Sequence, residues 1–133
     1  MFEQEYLVKR VEVPEAVIGL REDGIIHVSF VSGTEITVEV QMKLLEVYNN
    51  IAGFQKRKFV FEGGEFVSIS KDAMDNAFKI EDEAPLGITA VVIRNLAQKL
   101  IAEFYYKVRK PKQPYKVFKE FDKAIAWLHE QEL

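Results

Sequence analysis

The chain contains no cysteine, which removes disulfides, thiolate zinc sites, iron–sulfur clusters and thiol nucleophiles. Histidine is nearly as scarce: His27 and His129 stand far apart, and neither neighbours a plausible nucleophile. No apolar run approaches the ~20 residues that a membrane helix needs, so membrane insertion is not expected. The start, MFEQEYLVKR, shows no basic region followed by an apolar stretch, and hence no secretory signal. Gly63-Gly64 lacks both the spacing and the lysine of a phosphate-binding loop. These absences lead to the expectation of a cytoplasmic protein with no metal, no cofactor and no catalytic residues.

What is present suits one globular domain over residues 1–133. A chain of this length buries roughly two-thirds of its unfolded surface, so it needs no covalent or metal staple. The net charge of −3 weighs against non-specific binding to nucleic acid, but the charges are unevenly placed. Glu62, Glu65, Asp72, Asp75, Glu81, Asp82 and Glu83 are set against only Lys71 and Lys79. Lys107, Arg109, Lys110, Lys112, Lys116 and Lys119 follow with no acid between them. Such asymmetry steers an oppositely charged partner or a second copy of the chain; two solvated faces are the plainer reading.

Along the chain, residues 5–13 alternate apolar and polar as a half-buried edge strand, and Pro14 breaks it. Ala16–Leu20 and Ile25–Phe30 flank Glu22-Asp23-Gly24, a hairpin signal. His27 alternates with Ile26 and Val28 there and reads as a half-exposed structural residue. Residues 38–52 form a helix between an N-cap at Thr37 and a terminating Gly53, with Val40, Leu44, Val47, Tyr48 and Ile51 as its apolar stripe and Met42 and Leu45 widening it. Phe59–Glu62 is a strand, Ser70 opens a short helix, and Glu81–Pro85 is an acidic surface connection. Gly87–Ile93 is continuously apolar, as a central parallel strand covered on both faces should be. Asn95 caps a helix whose stripe is Ala97, Leu100, Ile101, Phe104, Tyr105 and Val108, and Pro111 stops it. A last strand, Tyr115–Phe118, and a helix bearing Phe121, Ala124, Ile125 and Leu128 complete the pattern. The fold class is therefore α/β: a single mixed, largely parallel sheet with an N-terminal antiparallel hairpin, covered by about four helices.

Two stretches carry a resemblance. Glu22–Val28, leading through Ser32-Gly33-Thr34-Glu35 into helix 38–52, is similar to the first hairpin and helix of the SpoIIAA-like fold. That fold is shared by anti-sigma-factor antagonists and the STAS domains of sulfate transporters. The strand–loop–helix at Lys58–Met74 resembles the segment where the antagonists carry their phospho-acceptor. EGGEFVSISKDA with the later AVVIRNLAQKLIAEFYYK looks like a group of small bacterial SpoIIAA-like proteins of unassigned role. The antagonists read Asp-Ser-Ser-Gly at the helix start, their second serine being phosphorylated; here Val67-Ser68-Ile69-Ser70 stands there, without the aspartate or the glycine. The resemblance implies Ser70, with Ser68, as candidate phospho-acceptor, while a helix-capping role accounts for Ser70 without phosphorylation.

The resulting expectation is a non-catalytic, STAS-like regulatory module that binds a protein partner or itself. Its candidate surface is Gly63, Gly64, Glu65, Phe66, Ser68, Ser70, Lys71 and Asp72. The alternative is a carrier of a small apolar or anionic, lipid-like ligand, since ten phenylalanines and five tyrosines can line a pocket as well as fill a core. Glu62 and Glu65 are the best-placed carboxylates for acid–base work, but two carboxylates alone make no motif. The run YYKVRKPKQPYKVFK interleaves bases with aromatics as a stacking groove would, against the acidic total.

Overall fold

The computed structural model describes residues 7–109 and 112–133. The elements run β1 (Leu7–Val13), β2 (Ala16–Arg21), β3 (Ile26–Phe30), β4 (Glu35–Ile36), α1 (Val38–Ala52), β5 (Arg57–Gly63), β6 (Ser68–Ile69), α2 (Lys71–Lys79), β7 (Leu86–Val92), α3 (Leu96–Arg109), β8 (Tyr115–Phe118) and α4 (Phe121–Glu130). Six strands form one sheet in the order β1-β2-β3-β5-β7-β8. The first three pair antiparallel through tight turns, and β3, β5, β7 and β8 pair parallel. The two-residue strands β4 and β6 make a separate parallel bridge that ties the start of α1 to the start of α2. The mixed sheet and the four helices are those read from the sequence.

Strand order decides where the helices go. From β3 onward each new strand is added on the same side of the last, and each crossover contains a helix. Right-handed crossovers then place α1, α2 and α3 on one face of the sheet, and only α4, which follows the last strand, is left for the other. The cores agree. On the first face Ala16, Ile18, Ile26, Val28 and Phe59 pack with Leu44, Tyr48, Ile51 and Ala52 of α1. On the second, Ile25, Val60, Ile88, Ala90 and Val92 pack with Ala124, Ile125 and Leu128 of α4.

Local chemistry fixes the element ends. The Thr37 hydroxyl oxygen accepts the Val40 N–H, and Gly53 closes α1 in the left-handed conformation at φ 66°. Asn95 accepts from Gln98 N at the start of α3. That helix is rotated from the stripe expected of it: Ala97 and Leu100 face solvent, while Gln98, Ile101 and Ala102 turn inward. A stripe broad enough to be drawn in two phases was resolved by α3 packing chiefly against β8. Met42 is exposed rather than part of the α1 stripe. The acidic connection is also less superficial than expected, since Ala84 and Pro85 are buried at the entrance to β7. Tyr6, the side chains of Phe104, Tyr105 and Val108, and the stop at 110–111 lie outside the described residues.

Candidate functional site

β5 alternates its side chains between the two faces, so Phe59 and Phe61 join the three-helix side, and Val60 and Glu62 the α4 side. Beyond it, Gly63 and Gly64 are not needed for unusual backbone angles, contrary to the simplest reading of a Gly-Gly pair; neither has positive φ. They are needed for space. A Cβ on Gly64 would lie 2.9 Å from the backbone of Ser32, and one on Gly63 would press on Val67 at 3.2 Å. The left-handed position in this loop falls instead on Phe66, at φ 60°. Gly33 N–H donates to Glu65 O at 2.8 Å and Glu65 N–H to the Ser32 hydroxyl at 3.2 Å, so the loop is held against the end of β3 with Phe66 83% exposed.

The residues singled out for an interaction surface are thereby brought together. Glu65, Phe66, Ser68, Lys71 and Asp72 are exposed, Gly64 and Ser70 half-buried, and Gly63 lies beneath the surface. The Ser70 hydroxyl oxygen accepts the Ala73 N–H at 3.1 Å, which is the N-cap of α2. The acidic and basic clusters meet each other within the chain: Lys112 Nζ is 2.9 Å from Asp82. Each group reinforces the other's charged form through that hydrogen bond, lowering the pKa of Asp82 and raising that of Lys112.

Sequence reasoning missed the polar group under α4. His27 is buried, at 2% exposure, not half-exposed, and its Nε2 lies 2.6 Å from Glu62 Oε2. The other Glu62 oxygen accepts from the Arg94 guanidinium at 3.3 Å. Phe121, the first residue of α4, lays its ring over His27 with centroids 4.8 Å apart, and Arg21 sits over that ring at 5.7 Å. Burial pushes the Glu62 carboxyl up, but the hydrogen bond and charge of His27, with Arg94, outweigh it and hold the group below its ordinary value of 4.5. Glu62 thus clamps β3, β5 and the start of the β7–α3 connection. Glu65, the other carboxylate considered for acid–base work, is exposed and takes no part. The one available signal for this cluster was that His27 and Glu62 sit on strands that the topology makes neighbours. Among the described residues no group of three or more His, Asp or Glu could hold a metal ion.

On the opposite face the layer is incomplete. α2 packs chiefly against α1, and α3 against β8, leaving a hollow of about 300 Å³ between them and the sheet. Its walls are Leu44, Leu45 and Tyr48 of α1, Met74 and Ala77 of α2, Ile101 and Ala102 of α3, and Phe61, Leu86, Thr89 and Val91 of the sheet. One end lies at Gly63, Val67 and Ile93, where β5 and β7 finish, and the other at Ala84, Pro114 and Tyr115, where β7 and β8 begin. The hollow follows the strands. Two of its glutamines are already engaged: Gln41 donates to Ala73 O and accepts from Asn76, and Gln98 donates to Gly64 O and accepts from Arg94 N; Gln113 lines the end where β8 begins. What it offers a guest is almost wholly apolar contact.

A six-stranded mixed sheet with three helices on one face and one on the other defines a SpoIIAA-like α/β protein. The chain is similar in structure to an uncharacterized protein of the DUF3478 family with a SpoIIAA-like fold from Shewanella loihica PV-4, with a TM-score of 0.62 at 15% identity over 89% of this chain and 97% of that one. The family described as Domain of unknown function (DUF7793) matches residues 19–132, and the chain belongs to it. None of the curated proteins matches.

Proposed function

We propose that this protein is a non-catalytic binder of one small, chain-like apolar ligand, held between the sheet and α1, α2 and α3. The observation that carries this reading is the hollow of about 300 Å³, which is at the low end of the volumes that hold small molecules. An ordinary core of this size has few voids larger than a water molecule, and an apolar void forfeits the contacts that would line it. A guest restores those contacts. Native mass spectrometry of the purified protein, followed by solvent extraction, tests the reading. The expected result is an adduct that partitions into the organic phase and is missing from Ala77→Trp, whose indole fills the hollow. A bare mass for the parent, together with no uptake of an apolar dye that Ala77→Trp blocks, would remove the reading.

A second reading, that of a STAS-like module, is favoured by Phe66. A phenylalanine 83% exposed in the left-handed region loses burial and carries backbone strain of order 1–3 kcal/mol. Strain of this kind persists where the surrounding structure imposes it, and here it sets an aromatic ring beside Glu65, Ser68, Lys71 and Asp72. In this reading that surface takes a protein partner, and phosphorylation of Ser70 at the α2 N-terminus regulates it, because a phosphate is electrostatically welcome there. Pull-down from native lysate should lose its partner when Phe66→Ala is combined with Ser70→Glu. Retention of the same partner by the double variant sinks this reading.

A further inference from the structure

Two buried side-chain oxygens among the described residues have no hydrogen-bond partner, Glu15 Oε1 and Glu81 Oε2. The first is compensated by charge, because the Lys43 ammonium lies 2.5 Å from it. The second is not. Glu81 follows Ile80, the C-cap of α2, and lines the hollow at the end where β7 and β8 begin. Its Oε1 accepts the Lys112 N–H at 2.6 Å, while the Lys112 ammonium turns to Asp82 at 2.9 and 3.0 Å. One carboxylate oxygen therefore remains at the end of an apolar hollow with no donor to it among the described residues. A buried acceptor left in that state costs the desolvation of the group, more so when it is charged. Natural cores rarely keep such an oxygen unless something outside the chain satisfies it.

We propose that the hollow binds a single-chain amphiphile whose head group, a hydroxyl or an ammonium, donates a hydrogen bond to Glu81 Oε2 while the tail runs along Ile80, Leu86 and Val91. This rests on the hollow being a ligand site and adds the chemistry of the ligand. A head group that only accepts, above all a free carboxylate, offers Glu81 Oε2 no hydrogen bond and meets a like charge, so it binds less tightly than a donor. The preference contradicts what an apolar cavity alone predicts, since a pocket without Glu81 would rank ligands by tail length and ignore the head.

The test uses the full chain, stripped of copurifying ligand on a hydrophobic resin, with dodecan-1-ol, dodecylamine and dodecanoate as probes at neutral pH, read by displacement of an environment-sensitive dye. The parent is expected to bind the alcohol and the amine at least about tenfold more tightly than the carboxylate, the scale of one hydrogen bond to a charged group. In Glu81→Gln the amide supplies a donor and removes the charge, so dodecanoate should gain and dodecylamine should fall, each by about tenfold. An amine that falls while the alcohol holds identifies an ammonium head; both falling together identifies a hydroxyl-type contact. Equal binding of all three probes to the parent, blocked by Ala77→Trp, overturns the head-group proposal and leaves the hollow as a ligand site. Binding of none overturns both.

Discussion

Glu62 shows how much one side chain can be asked to hold. It is 7% exposed, accepts from a buried histidine and is anchored by a half-exposed arginine. Its folded pKa lies below its ordinary value, so the ionised carboxylate contributes stability above about pH 4.5, and that contribution is lost as pH falls through the lower folded value. Glu62→Gln is expected to lower stability at neutral pH by about 2 kcal/mol, the scale of hydrogen bonds to a charged group. It should also flatten the fall in melting temperature on acidification below about pH 4.5, because one linked proton is gone. Parent and variant melting curves that stay parallel as the pH falls through this range would show that Glu62 is not the linked group. Asp23 holds a smaller station of the same kind. Burial raises its pKa, but hydrogen bonds from Arg21, His129 and Ile25 N lower it by more, and in doing so they tie the hairpin turn to the end of α4.

At the scale of elements, α2 is the weakly held piece. It runs for nine residues, shorter than the ~12–15 at which an isolated helix becomes even marginal, and it rests mainly on another helix. Its start is secured by the Ser70 cap and by the β4–β6 bridge. Ser70→Ala should cost about 1 kcal/mol, and hydrogen exchange over residues 73–79 should speed by about fivefold while β5 and β7 are unchanged. Uniform acceleration across the sheet would mean instead that α2 opens only with the whole fold. Elements of this kind were legible in the sequence where their signals are local: Thr37 and Gly53 bound α1, Pro114 opens β8, and Asp23-Gly24 makes the hairpin. The phase of α3 was not, because Ala97 and Leu100 are apolar enough for the buried stripe, and the choice was made by how the helix meets β8. The hollow was illegible for a related reason. Periodicity tells which residues turn inward, and says nothing about whether they touch once there. His27–Glu62 was hidden by separation, as the 35-residue offset between them is closed by strand register alone.

For the molecule as a whole, the hollow makes stability depend on what fills it. A ligand that binds only the folded chain adds about 2.7 kcal/mol at a hundredfold excess over Kd. For a domain of this size that corresponds to a rise in melting temperature on the order of 10 °C. No helix among the described residues is long and apolar enough to cross a membrane.

The strand order also sets a timetable. The pairs β1–β2 and β2–β3 join neighbours in sequence, and their turns can close before the rest of the chain is in place. Every later pair must first close a loop that contains a helix, and loop-closure entropy is lost before the contact repays it. The pairing of β3 with β5, which sets His27 beside Val60 and Ser29 beside Glu62, is the first of these long closures, and the buried bond from His27 to Glu62 lies across that seam. If the seam is part of the folding nucleus, His27→Ala slows refolding and leaves unfolding nearly unchanged. If unfolding alone accelerates, the clamp forms after the barrier has been crossed. A residue that looks like a site in the finished protein would then be, in the folding chain, the latch between its antiparallel start and its parallel remainder.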